Sequence, residues 1–178
     1  MARPADVKLL VDVNTCLDVL LDRVPFAGAS TRLWSLVERG KVRGLLPAHG
    51  VTTIHYLVSK ERGSATGRRF AADLLQVFGV AAVNQAVLKR ALELRMPDLE
   101  DAVCAAAAET AGCDLLVTRD RKDYACSPVP AVDPITALAI VEGGGPGGVS
   151  ERPARYQSRR KSPAVRRRRT RGGAGAAR

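Results

Sequence analysis

The chain has 178 residues, 46% of them hydrophobic, and a formal net charge of +10, enough length for one domain with a true core. No apolar run approaches the roughly 20 residues that a membrane-spanning helix needs. Residues 1–8 also lack the apolar stretch and cleavage site of a secretory signal, so no membrane association and a cytoplasmic location are expected.

The charge looks like a nucleic-acid signature until it is placed. Residues 1–142 carry 17 basic and 17 acidic residues, whereas residues 143–178 carry 11 basic residues and a single acid, Glu151. The body of the protein is therefore neutral and needs its own argument for binding RNA.

In chain order, residues 8–12 (KLLVD) form a short apolar run ending in an acid, which predicts a buried parallel strand. Asn14 is placed to cap the helix that follows, where Leu17, Leu20 and Leu21 recur at helical spacing. Residues 27–39 predict a second helix closed by Gly40, and residues 43–46 a second strand stopped by Pro47. Helices are expected over 51–60, closed by Gly63, and over 65–78, with a brief strand at 80–83 and a further helix over 85–94. Met96-Pro97 breaks that helix, and Asp98 opens another that runs through an alanine-rich stretch to Ala111. Residues 114–118 read as a clear strand and 129–132 as a weak one. Asp133-Pro134 then starts a last helix, an N-cap followed by proline at the first helical position.

Alternating strands and helices predict an α/β fold, a small parallel sheet with helices on both faces. The folded domain is expected to occupy residues 1–142. Residues 143–178, with GGGPGG and RRRR, have too little apolar surface to offset their ordering entropy and read as a disordered basic tail. That tail is better explained as a solubilising or accidental extension than as an RNA tether. Cys16, Cys104, Cys113 and Cys126 form no CxxC pair, and neither His49 nor His55 stands at zinc-finger spacing from them. The thiols read as reduced and structural.

In open parallel sheets, functional residues gather beyond the carboxyl ends of the strands. Asp12 ends the first predicted strand, Asp120 follows the strand DLLVT, and Asp101 lies in the first turn of the helix leading into that strand. Converging carboxylates repel one another, so such a set calls for a cation or strongly shifted pKa values. Oxygen-only ligands favour Mg²⁺ or Mn²⁺.

Three segments carry a resemblance: VDVNTCLDVLL (11–21), DLEDAVCAAAAETAGCD (98–114) and LLVTRDRKDY (115–124). Together they resemble the hallmark blocks of PIN-domain nucleases, above all the toxins of VapBC-type toxin–antitoxin pairs, over about residues 7–141. The resemblance implies a metal-dependent endoribonuclease with Asp12, Asp101 and Asp120 as catalytic residues and metal ligands. It makes Asn14 a support for the first acid and Asp123 a second nearby acidic position. Arg119, Arg121 and Lys122 flank the site and are expected to grip RNA phosphates. The implied partners are RNA, a cognate antitoxin and a second copy of the chain. One position departs from the pattern. In the block Thr53-Ile54-His55-Tyr56, Thr53 stands where the family often carries an acid, which favours one metal over two.

Simpler roles compete at each position. Asp12 taken alone is a candidate cap for the next helix, Asp98 and Asp101 fit a capped helix start, and Asp120 suits a turn. Asp18 and Asp22 read as a solvated helix face, and the two histidines as non-catalytic. Asp12-Val13-Asn14-Thr15 also resembles the D-x-D-x-T loop of haloacid-dehalogenase-like phosphatases. There Asn14 cannot do the work of the second acid, and no later G-D-x-x-x-D motif follows. Thr53 keeps open a second class of function, a degenerate PIN domain that binds RNA or protein without cutting.

Overall fold

The computed structural model describes residues 7–143. The reading of the basic tail as disordered falls almost wholly outside them. Five strands, β1 (Lys8–Val11), β2 (Arg43–Pro47), β3 (Gly79–Ala81), β4 (Leu115–Val117) and β5 (Ala131–Val132), form one sheet in the order β3-β2-β1-β4-β5. Every pairing is parallel. The helices are α1 (Val13–Leu20), α2 (Ala27–Glu38), α3 (Ala48–Arg62), α4 (Ser64–Val77), α5 (Gln85–Glu93), α6 (Leu99–Thr110) and α7 (Pro134–Glu142). The expected α/β architecture with a parallel sheet is what the chain adopts.

Strand periodicity divides the core into two. Leu9 and Val11 of β1, with Leu115 and Val117 of β4, join a cluster that includes Leu17, Leu33, Trp34, Ile54 and Leu74 from α1 to α4. Leu10 and Leu116, pointing the other way, meet Val87 and Ala91 of α5 and the run Ala102–Ala108 of α6. Seven consecutive buried residues in α6 mean a helix covered on all sides. Their small side chains let it lie close to both the sheet and α5. On the opposite layer Trp34 and Phe78 meet edge to face at 5.0 Å. They pack so near β2 that a Cβ on Gly44 would fall 2.7 Å from the Phe78 ring.

Two local expectations change. Asn14 does not cap α1, because the helix already begins at Val13 and Asp12 occupies the cap position. The strand hands over directly to the helix there, so the first acid takes the junction. Helix α3 likewise starts at Ala48, straight after β2, rather than at residue 51. Pro47 both ends the strand and precedes the helix, where its missing N–H costs nothing.

Candidate functional site

The strand order reverses between β1 and β4, because β1 leads outward to β2 and β3 on one side and β4 leads to β5 on the other. The crevice at such a reversal is where open α/β sheets place their chemistry. Asp12 stands at its floor. Its N–H donates to Val117 O at 2.9 Å, which locks the residue to the end of β4.

Although Asp12 is in the N-cap position of α1, its carboxylate caps nothing. Instead Oδ2 accepts from the Thr118 hydroxyl at 3.0 Å. The same hydroxyl accepts from Asp120 N–H at 3.1 Å, so one threonine ties the first acid to the third. Asp12 is only 6% exposed. Burial pushes its carboxyl up to about 6; the bond from Thr118 opposes the shift, and the charges of Asp101 and Asp120 add to it. The carboxylates of Asp101 and Asp120 thus both act on Asp12.

Asp101 arrives from the first turn of α6. The carboxylate of Asp98 accepts from Glu100 N–H at 2.7 Å and Asp101 N–H at 3.2 Å. Capping is therefore the work of Asp98, and Asp101 is free for another role. Its Oδ1 accepts from the buried Tyr124 hydroxyl at 3.0 Å. Burial is the main cause that raises the Asp101 carboxyl; Tyr124 holds it down, and Asp98, Asp123 and Glu100 push it up. Asp120 lies in the exposed turn after β4, where Asn14 Nδ2 donates to its Oδ2 at 3.3 Å. Asn14 therefore supports the third acid directly rather than the first. Asp123 is exposed and reaches the site through its charge on Asp101.

The flanking cations divide. Arg121 and Lys122 are exposed, Arg121 with an ion pair to Asp133 at 3.6 Å. Arg119 is not presented to solvent as expected. Its Nη1 donates to Asp18 Oδ1 at 3.1 Å, and its guanidinium lies 4.6 Å from the Phe26 ring centroid. Asp18 is fully buried, which corrects its reading as part of a solvated face. The helix period puts it on the inner side of α1, where Arg119 provides the charge that a buried carboxylate requires.

Three residues that the sequence reading gave no role, Thr118, Tyr124 and Glu100, belong to this region, as does His49, which was read as non-catalytic. Thr118 and Tyr124 were detectable as a hydroxyl at a strand end and an aromatic in an otherwise polar turn. His49 Nε2 lies 3.6 Å from Cys104 Sγ and 4.0 Å from Glu100 Oε1. Burial pushes the His49 imidazole down more than Glu100 raises it, so the ring is neutral at neutral pH and the contact is not an ion pair. Thr53 Oγ1 donates to Glu100 Oε1 at 3.4 Å.

By chemistry, the donor set suits a hard divalent cation: carboxylate oxygens, with the nearby Cys104 thiol pushed well up by burial and so protonated. The side chains are not gathered around a common point. Each carboxylate is turned to its own donor, and among the described residues no group of three or more acids, histidines or cysteines is arranged to hold a metal.

Comparison with known proteins bears on the same residues. The family model of the PIN domain matches residues 8–122. A DNA-bound VapBC complex from Salmonella typhimurium is similar in structure, with a TM-score of 0.59 and 14% identity, over 72% of this chain and 98% of that one. A toxin–antitoxin complex from Klebsiella pneumoniae gives 0.55 and 21%, over 71% and 97%. VapC20 of Mycobacterium tuberculosis, described as a toxin that cleaves the sarcin–ricin loop, gives 0.52 and 19%, over 61% and 86%. No curated protein matches the sequence. Among the described residues no helix is long and apolar enough to cross a membrane.

Proposed function

Because the chain belongs to the PIN domain family, we propose that it is a divalent-metal-dependent endoribonuclease and the toxin of a toxin–antitoxin pair. The observation that carries this reading is Asp12: a carboxylate 6% exposed at the sheet's reversal point, on which two other acids act. A buried acid surrounded by acids is unfavourable for folding alone and favourable for holding a cation. Asp12, Asp101 and Asp120 would be the ligands of Mg²⁺ or Mn²⁺. Such an ion supplies Lewis-acid polarisation of a phosphate oxygen and lowers the pKa of water.

The chain's own residues prepare that chemistry. Thr118 fixes the rotation of the Asp12 carboxylate, Tyr124 that of Asp101, and Asn14 that of Asp120. Protons compete for Asp12 below about pH 6, so metal occupancy and activity rise with pH through that value. Arg121 and Lys122, exposed beside Asp120, suit phosphates flanking the scissile bond. Arg119 is bound to Asp18 and serves the fold first.

The similar VapBC and toxin–antitoxin complexes support an antitoxin as partner, and the family resemblance adds a short neighbouring reading frame for it and a second copy of the chain. Thr53 and the ungathered carboxylates favour a rival reading, a PIN module that binds without cutting. Purified full-length protein incubated with a panel of structured RNAs separates the two. Cleavage with Mg²⁺ or Mn²⁺ that is lost in EDTA and in Asp12→Asn is the expected result. Retention of RNA with no cleavage under any divalent cation would establish the binding module instead.

A further inference from the structure

Of the six aromatic residues among those described, Trp34, Phe70, Phe78 and Tyr124 are buried, and Phe26 and Tyr56 stand in solvent. Phe26 is 46% exposed, and the Arg119 guanidinium lies over its ring, 4.6 Å from the centroid. Arg119 stands between Thr118 and Asp120, which are joined by a hydrogen bond, so the ring is placed at the edge of the candidate site.

The ring is fixed there by the fold. Phe26 occupies the N-cap position of α2 with helical backbone angles. The turn that leads to it from α1 is closed by Arg23 N–H donating to Asp18 O at 3.0 Å and Ala27 N–H donating to Arg23 O at 2.8 Å. Behind the ring, Arg119 is itself held by the buried Asp18, its Nη1 donating to Oδ1 at 3.1 Å. Leu33 and Trp34 of the same helix point into the core, as apolar anchors do. Phe26 is anchored with much of its surface towards water. A ring already held in place loses little freedom when a flat partner stacks on it.

Its neighbours indicate the partner. Arg121 and Lys122, exposed just beyond Arg119 and Asp120, put positive charge on the same side of the site. An aromatic ring for a base beside cations for the backbone is the arrangement that grips a single nucleic-acid strand.

We propose that Phe26 is a stacking platform for one unpaired base of an RNA strand entering the crevice, with Arg121 and Lys122 on the phosphates beside that base. The inference deepens the nuclease reading above and rests on it.

Fluorescence anisotropy of the full chain with a short labelled single-stranded RNA, in EDTA and again with Ca²⁺, reads affinity without reference to cleavage. A 2-aminopurine moved along the strand reports stacking by its quenching. Phe26→Ala weakens binding roughly 5- to 100-fold and removes the quenching at one position. Phe26→Trp keeps both. Phe26→Leu, apolar but without a π-face, behaves as the alanine variant, and urea unfolding shows that all three variants keep the fold. Arg121→Ala combined with Lys122→Ala lowers the salt dependence of binding and leaves the quenching in place. Affinity in Phe26→Ala or Phe26→Leu equal to that of the parent would overturn the platform and leave the nuclease reading intact. Unchanged RNA affinity with altered self-association in sedimentation would do the same and assign the ring to a protein interface. An unchanged salt dependence in the double variant overturns the role of the flanking cations. If the parent chain binds no RNA under either condition, both readings fall together.

Discussion

Helix α1 carries two buried acids, and the fold treats them in opposite ways. Burial raises the carboxyl of Asp18, which is fully buried, while the Arg119 guanidinium joined to it and nearby Arg23 pull it back down. Asp12, six residues earlier and nearly as buried, has a neutral threonine hydroxyl for a partner and two acids for charged neighbours. A folded domain that sought only stability would compensate both charges. Burial raises both carboxyls, but only Asp18 has cations beside it, which suits a structural role for Asp18 and the proposed cation-holding role for Asp12.

The largest effect that would sharpen this contrast is removal of the compensation. Arg119→Ala leaves the Asp18 charge buried without its main counter-ion and should cost about 3 kcal/mol in urea unfolding at pH 7. The Arg119 side chain is 22% exposed, which keeps the value at the low end for a buried pair. The deficit should shrink as acid protonates Asp18. An unchanged midpoint at pH 7 would show that the pair has no structural role.

Asp12→Asn should act in the opposite sense. The Asp12 carboxyl lies at about 6 in the folded protein against an ordinary 3.8. The folded state therefore holds its proton more tightly than the unfolded state. Its stabilising contribution is complete below about pH 4 and is lost as pH rises through 6. The asparagine variant, which cannot ionise, should match the parent near pH 4 and exceed it by about 2–3 kcal/mol above pH 7 in metal-free buffer. Chemical denaturation at several pH values reads this directly. A variant less stable than the parent at pH 8 would contradict the idea that Asp12 is strained.

The smallest effect concerns Tyr124. Its hydroxyl lowers the Asp101 carboxyl against the burial that raises it. Tyr124→Phe should cost about 1 kcal/mol and move the Asp101 carboxyl further up, measured by carbon-detected NMR titration. A downward movement would mean that the bond favours the protonated acid.

Much of the fold was legible in the sequence because each signal was local. The apolar runs at 8–11 and 115–117, the Asp98 and Asp133 caps and the Gly63 helix end are all short-range physics. The boundaries at Asp12 and Ala48 were harder. There a strand passes into a helix with no loop between, and the usual turn residues are absent.

For the proposed site, the sequence by itself determined which acids stand at strand and helix ends, and the family resemblance singled out Asp12, Asp101 and Asp120 among them. The crevice between β1 and β4 decided the rest. Only there does Thr118 join Asp12 to Asp120, Tyr124 hold Asp101 and Asn14 serve the third acid rather than the first. Only the packing of α1 turns Asp18 inward and binds Arg119 to it. Only the packing of α3 against the start of α6 brings Thr53 and His49 to Glu100. The physical reason is one of range. Caps, turns and apolar periods act between neighbours in sequence, whereas a carboxylate's charge state depends on groups a hundred residues away that only the sheet brings beside it.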